Sequence, residues 1–158
     1  MSQTLKNHVA LITGSTTGLG FGIAKVLGLA GVKVIMNYYN DEERADRAFS
    51  EFKSLGCDGI LVRGNAIDDS SVQEIVSIGE SKFGPIDIIV PNATPDQPLK
   101  PIEEYDWDFY QQMLNFFIKS PYLMTRATIE QMKKNKWGRI INISSEVYQL
   151  SVSPFSAY

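Results

Sequence analysis

Short apolar runs alternate along the chain with longer stretches in which apolar residues recur every three or four positions. The runs His8 to Thr13, Lys33 to Asn37, Ile60 to Arg63, Ile86 to Val90 and Arg139 to Ile143 read as strands, the first of them of the kind buried on both faces. Leu19 to Ala30 predicts a helix with Ile23, Ala24, Val26, Leu27 and Ala30 turned inward, ended by Gly31. Asp41 caps a second helix carrying Ala45, Ala48, Phe49, Phe52 and Leu55 on one side, with Gly56 and Gly59 bracketing its exit. Asp68-Asp69-Ser70 opens a third, whose stripe is Val72, Ile75, Val76, Gly79 and Phe83, and Gly84-Pro85 stops it. Pro91 to Pro101 is a proline-rich loop. Helical pattern resumes from about Asp106 and runs to Asn135, kinked or divided at Pro121.

Strands separated by helices imply parallel pairing through right-handed crossovers. The expected architecture is therefore α/β: a doubly wound, Rossmann-like parallel sheet with strand order 3-2-1-4-5. In such a sheet a ligand lies beyond the carboxyl ends of the strands, where the strand order reverses. Gly14, Asn37, Asn65, Asn92 and Ser145 each stand just past the end of a different strand, a set hard to attribute to packing.

The first of these exits, Thr13-Gly-Ser-Thr-Thr-Gly-Leu-Gly20, turns a buried strand into a helix through three glycines. Such a turn brings unpaired backbone N–H groups and the positive end of a helix dipole to one point, which suits an anion. Gly14 is expected to take a turn conformation closed to other residues, Gly18 to let the main chain approach a pyrophosphate, and Gly20 to let helix and strand lie close. Ser15, Thr16, Thr17 and Leu19 complete the loop. The spacing is neither the commoner G-x-G-x-x-G nor a P-loop, since no Gly-Lys-Ser/Thr follows. A glycine turn that serves only packing is the competing reading.

Composition narrows the classes further. The chain has 158 residues, 44% apolar and 21% charged, with a net charge of -3. Its basic residues are scattered apart from Lys133, Lys134 and Lys136, a pattern that points away from nucleic acid and anionic membranes. The N-terminus lacks the apolar core of a signal peptide and no apolar run approaches the roughly 18 residues of a span, so a cytoplasmic location is expected. A single cysteine, Cys57, and a single histidine, His8, give no disulfide and no zinc set. His8 reads as a solvated polar residue. The sequons at Asn92 and Asn142 fall at strand ends and read as unglycosylated.

Taken in order, the Thr13 to Gly20 turn, Asn92-Ala93, Asn115, and Gly138-Arg-Ile-Ile-Asn-Ile-Ser-Ser145 followed by Tyr158 resemble the short-chain dehydrogenase/reductase family. The chain is similar in particular to the reductases of 3-oxoacyl carriers, sugars and other ketones. The resemblance implies hydride transfer between a nicotinamide cofactor and a small-molecule ketone or secondary alcohol. Tyr158 would exchange the proton at the substrate oxygen, and Ser145, thirteen positions before it, would polarise the carbonyl. Asn115 would hold a helix irregularity and an ordered water. The same residues also admit plain roles: Ser145 as a strand-exit cap, Asn115 as a surface amide, Tyr158 as a buried aromatic.

The family motif is Tyr-x-x-x-Lys, and the sequence stops at the tyrosine. A free phenol has a pKa of about 10, and the lysine's charge normally supplies much of the required lowering. Residues 1–158 are thus expected to form a single dinucleotide-binding domain. That domain would be a fragment of a chain of about 250 residues, lacking the family's C-terminal strands and inactive or nearly so by itself. Where the family favours Asn-Asn-Ala-Gly the chain has Pro91-Asn92-Ala93-Thr94, and Asn65, followed by Ala66, stands where an aspartate usually meets adenine. The second strand's exit, Asn37-Tyr38-Tyr39-Asn40, holds neither an acid nor an arginine. No acid there repels a 2′-phosphate, and the exit is similar to the Asn-Tyr-x-Asn of related NADP enzymes, so NADP(H) is expected ahead of NAD, with Thr17, Asn37, Tyr38 and Tyr39 on its 2′-phosphate. Val147, Tyr148, Leu150, Val152, Phe155, Pro95 and Pro98 suggest an apolar substrate pocket. Met113, Leu114, Phe116, Phe117 and Ile118 fit either the tetramer surface common in the family or the domain core. A catalytically silent dinucleotide-binding homologue and a ligand-free structural module remain as alternatives.

Overall fold

The computed structural model describes residues 5–150, with the side chains of Tyr148 and Leu150 outside that description. The strands β1 (Val9–Ile12), β2 (Lys33–Tyr38), β3 (Gly59–Arg63), β4 (Ile88–Val90) and β5 (Arg139–Ile140) form one parallel sheet in the order β3-β2-β1-β4-β5. The helices are α1 (Gly18–Leu29), α2 (Glu42–Ser54), α3 (Asp69–Phe83), α4 (Trp107–Leu114), α5 (Ser120–Lys134) and the single turn α6 (Val147–Leu150). The expected doubly wound, Rossmann-like sheet and its strand order are observed.

Successive strand residues face opposite sides of a sheet, so a strand covered on both sides must be apolar throughout. Val9 and Leu11 of β1, with Ile35 and Ile89, pack against Val72, Ile75 and Val76 of α3 and Leu123, Met124 and Met132 of α5. Ala10 and Ile12, with Val34, Met36, Ile88 and Val90, pack on the other side against Ala24 of α1 and Ala48 and Phe52 of α2. The order reverses between β1 and β4, so the switch point opens directly above the exits of these two strands.

Several expectations are corrected in detail. Val26 is exposed, and the buried stripe of α1 is Gly20, Ala24 and Gly28, small residues at a four-residue spacing that bring the helix close to its neighbours. The ladder takes in β4 from Ile88 and ends β5 at Ile140, although Ile141 N–H still donates to Ile89 at 3.0 Å. The long helix is divided by a π-helical segment at Asn115–Lys119, in which Ser120 N–H reaches back five residues to the Asn115 carbonyl. Pro121 follows in the first turn of α5. Widening the helix there relieves the clash and the missing donor that a proline brings to a helix interior.

His8 is likewise more than a solvated residue. Its Nδ1 lies 2.7 Å from Asp87 Oδ2 and its ring stacks on Trp137 at 3.7 Å, while Asp87 Oδ1 accepts the Val9 N–H. This clamp ties the starts of β1 and β4 to the approach to β5, at the end of the sheet opposite the switch point.

Phe52 is fully buried against two glycines. A Cβ at Gly28 would stand 2.7 Å from the Phe52 ring and 2.9 Å from Cys57 Cβ, and one at Gly59 would stand 2.4 Å from the Val34 carbonyl oxygen. Alanine is the better helix former by about 1 kcal/mol. Overpacking a core nevertheless costs about 1–3 kcal/mol, and neither the ring nor the cysteine stem can swing away. Gly28→Ala is therefore expected to lower the urea midpoint with an unchanged denaturant slope; an equal or higher midpoint would show that α1 shifts outward without cost.

Candidate functional site

The exits of β1 and β4 are tied together by two side chains. Thr13, buried at the end of β1, accepts the backbone N–H groups of Asn92 and Ala93 on its Oγ1, at 2.9 and 3.0 Å. Asn92 returns two bonds, its Nδ2 donating to the carbonyls of Thr13 and Gly14 at 3.0 and 3.1 Å. Gly14 takes a φ of +60°, and a Cβ there would stand 2.9 Å from Ala93 Cα. A Cβ at Gly20 would meet the Gly14 carbonyl and the Asn92 amide, both at 2.4 Å. Gly20 thus admits the knot between the two exits, rather than contact with the strand as its position suggested.

A second tie joins β1 to β2. Ser15 is fully buried, and its Oγ accepts the Asn37 N–H at 2.9 Å while its own N–H donates to the Asn37 carbonyl. Asn37 Nδ2 donates to the carbonyls of Val62 and Gly64, carrying the tie on to the exit of β3. There Asn65 turns on itself: its Oδ1 accepts the Ile67 N–H and its own N–H donates to Ser71 Oγ. Asp68 caps α3, and donation from the Ser70 hydroxyl, then the Ser71 N–H, holds its carboxyl below the usual range.

These ties leave the start of α1 open. Thr17, the residue before its first turn, makes no side-chain cap, so the first N–H groups of the helix lack an acceptor from it. Gly18 has a φ of +51° and nothing within 4 Å of where a side chain would begin. Both face a cleft of about 850 Å³ that crosses the strand exits. Gly14, Thr16, Thr17, Gly18 and Leu19 form its middle; Asn37, Tyr38, Tyr39, Asn65 and Ala66 line one side, and Asn92, Ala93 and Thr94 the other. Asn142 and Ile143 at the β5 exit also reach it, with Phe116 and Phe117 of the π segment.

An uncapped helix start, a glycine open toward the cleft and walls mixing amides with aromatics are what a dinucleotide's phosphates and bases require. The residues present fit that group. Among the described residues there is no cluster of three or more His, Cys, Asp or Glu suited to a metal ion, and no helix is long and apolar enough to cross a membrane.

Ser15 and Gly20 do not line the cleft; they hold its floor. Asn115 Oδ1 accepts from Gln111 Nε2 at 3.2 Å, at the first residue of the π segment. Ser145 is half-buried and its Oγ accepts the Val147 N–H at 3.2 Å. Neither Asn115 nor Ser145 is among the cleft's lining residues. Tyr158 lies outside the described residues, as do Val152 and Phe155. Thr94 keeps a φ that any residue tolerates, and its hydroxyl pairs with Gln97 and the Pro95 carbonyl, so the replacement of glycine brings no backbone strain there.

Arg44, Gln97 and Gln112 line the cleft without having been singled out from the sequence. Arg44 sits three residues past the Asp41 cap, so its presence was readable from the helix start; Gln97, inside a proline-rich loop, carried no pattern. Replacing Thr13 by valine should leave the Asn92 and Ala93 N–H groups without their acceptor and cost about 1–3 kcal/mol. Thr13→Ser should cost far less in the same urea titration. Equal losses in the two variants would mean that the methyl group, and not the hydroxyl, holds the exits together.

A family profile described as short chain dehydrogenase matches residues 8–158. The chain is 33% identical over 156 residues to 2-dehydro-3-deoxy-D-gluconate 5-dehydrogenase of Formosa agariphila, an alignment covering 98% of this chain and 58% of that relative. It is 36% identical over 157 residues to D-beta-hydroxybutyrate dehydrogenase of Cupriavidus necator, covering 98% of this chain and 59% of the relative. The chain therefore spans less than two thirds of these proteins' length. Among solved structures it is similar to a metagenomic short-chain oxidoreductase in complex with NADP, with a TM-score of 0.89 and 27% identity over 99% of this chain and 70% of that one.

Proposed function

The chain belongs to the short-chain dehydrogenase family, and on that premise we propose that it carries the dinucleotide-binding half of an oxidoreductase. That enzyme would interconvert a ketone and a secondary alcohol, with NADP(H) preferred to NAD(H). The activity is assigned to the whole protein, since the chain spans little more than half of its relatives. The observation that carries the reading is the open start of α1: a helix with no side-chain cap, beginning at a left-handed glycine whose Cβ position is empty, on the wall of the cleft.

In this reading the N–H groups of Gly18 and Leu19 hold the pyrophosphate, and the helix dipole favours its charge. Asn65 retains one lone pair on Oδ1 beyond the bond to Ile67, enough to accept an adenine amino hydrogen. The nicotinamide, when bound, supplies or accepts the hydride. Tyr158 gives its phenolic proton to the substrate oxygen in reduction and takes it back in oxidation. The Ser145 hydroxyl, whose oxygen already accepts from Val147, has its proton left to donate to that same oxygen, steadying the negative charge that builds there. Asn115 opens the wide turn from Asn115 to Lys119, which frees main-chain groups to hold a water for the proton's return. A homo-oligomer, most simply a tetramer, fits the exposed row Leu114, Ile118 and Tyr122 on the outer helix.

Titration with NADPH and NADH, followed by cofactor fluorescence, should show saturable binding, and the full chain should turn over uncharged medium-sized ketones. Tyr158→Phe should lower kcat by ~10²-fold or more with cofactor affinity unchanged. Failure of both nucleotides to bind would overturn the dinucleotide assignment, while an unimpaired Tyr158→Phe variant would remove the tyrosine from the chemistry.

A further inference from the structure

Between the exits of β4 and β5 the cleft is lined by Thr94, Pro95, Gln97 and Asn142, with Gln112 of α4 and the two phenylalanines of the π segment. None of these side chains is charged; among the described residues Arg44, on α2, is the one charge on the whole wall. Gln97 is fixed in orientation. Its Nε2 donates to Thr94 Oγ1 at 2.7 Å, and that hydroxyl gives its own proton to the Pro95 carbonyl at 3.1 Å. Because the threonine proton is committed to a carbonyl, the glutamine turns its nitrogen to the hydroxyl and keeps its oxygen free. Gln97 Oε1 accepts no bond within the protein, and it is open to solvent: among the described residues the buried side-chain polar atom without a partner is Arg44 Nε. The loop that carries Gln97 is latched by Tyr105. Its phenol accepts the Lys100 N–H at 3.2 Å and donates to the Pro98 carbonyl, while its ring stacks on Phe109 at 4.9 Å and meets Tyr110 edge-on at 6.0 Å. The segment just after Gln97 is thus pinned to α4, and Pro98 serves this brace and does not line the cleft.

A carboxylate brought to this end of the cleft would meet a free acceptor and no cation, and a plain ketone would leave that acceptor unused. A hydroxyl would find it already held in place, so that little ordering remains to be done on binding. We propose that Gln97 sets the substrate class: its Oε1 accepts a hydrogen bond from a substrate hydroxyl, so that the whole protein reduces hydroxyketones in preference to plain ketones and keto acids, and Tyr105 is the positioning residue that holds the Gln97 loop. The inference rests on the reductase reading above and adds to it the substrate group that the open carboxamide recognises. Gln112 and Asn142 suit the same neutral class, since each carboxamide offers both donors and an acceptor to a hydroxyl.

The test is NADPH-dependent reduction of butan-2-one, its monohydroxy derivatives and 3-oxobutanoate by the full chain and by its Gln97→Met, Gln97→Glu and Tyr105→Phe variants. In the parent, kcat/KM for the best hydroxybutanone should exceed that for butan-2-one by about 10-fold, with 3-oxobutanoate used least. Gln97→Met, which keeps the length and loses the acceptor, should cut the hydroxyketone-to-ketone ratio of kcat/KM by about 3- to 10-fold, and Gln97→Glu, which keeps an acceptor, should hold the ratio. Tyr105→Phe keeps the ring and loses both loop bonds. It should cut the ratio through KM with NADPH affinity unmoved, and combining it with Gln97→Met should cut the ratio no further than Gln97→Met alone. An unchanged ratio in Gln97→Met, or an equal fall in Gln97→Glu, would overturn the role of Gln97, and additive falls in the double variant would overturn that of Tyr105. A parent that binds NADPH and prefers butan-2-one or 3-oxobutanoate would overturn the substrate class while leaving dinucleotide binding intact. A parent that binds no NADPH would instead remove the reading beneath it.

Discussion

Two strand exits are held together by one hydroxyl and one carboxamide, and the cleft exists because of that knot. Thr13 Oγ1 accepts two backbone N–H groups from the β4 exit, and Asn92 Nδ2 donates to two carbonyls of the β1 exit. Four polar groups that a buried loop would otherwise leave unpaired are satisfied by partners in the protein. Because those groups close on one another, the N–H groups at the start of α1 do not have to turn inward for partners. The ligand-facing emptiness at Gly18 and the crowding at Gly14 and Gly20 are two sides of the same arrangement. Glycines at one spacing therefore meet three different demands: a left-handed turn against Ala93, an open approach, and room for a carbonyl and an amide.

The ties continue sideways through the sheet. Ser15 reaches Asn37, Asn37 reaches the β3 exit, and Asn65 folds its own loop. Polar residues at the strand exits are thus partly engaged by the fold, and the groups left over are main-chain N–H groups and a few side-chain termini. This division is expected at the switch point of a parallel sheet, where loops must be rigid before they can position anything. Arg44 is the exception in kind, a charged group carrying an unanswered donor.

Much of the frame was legible in the chain. Continuous apolar runs identified the central strands because helices cover both faces, and the caps at Asp41 and Asp68 marked two helix starts through side chains that accept from Arg44 and Ser71. What escaped has physical causes. The inward face of α1 is made of small residues, so apolar spacing misplaces Val26, which faces solvent. The π segment has no pattern distinct from an α-helix, and the signs of it were Pro121 and the helix irregularity that the family resemblance implies at Asn115. His8 acquires its role from Asp87 and Trp137, far along the chain, which no local spacing reveals. Arg44 reaches the cleft from the first turn of α2, beyond the strand exit that marks the other residues of that wall.

The central claim is that the uncapped amides at the start of α1 grip an anionic nucleotide. Backbone amide shifts of the isotopically labelled chain, followed as NADPH is added, test it most directly. The account predicts that the Gly18 and Leu19 signals move furthest and saturate together with those of Ala93. Saturable shifts confined to other parts of the molecule, with these amides unmoved, would contradict it.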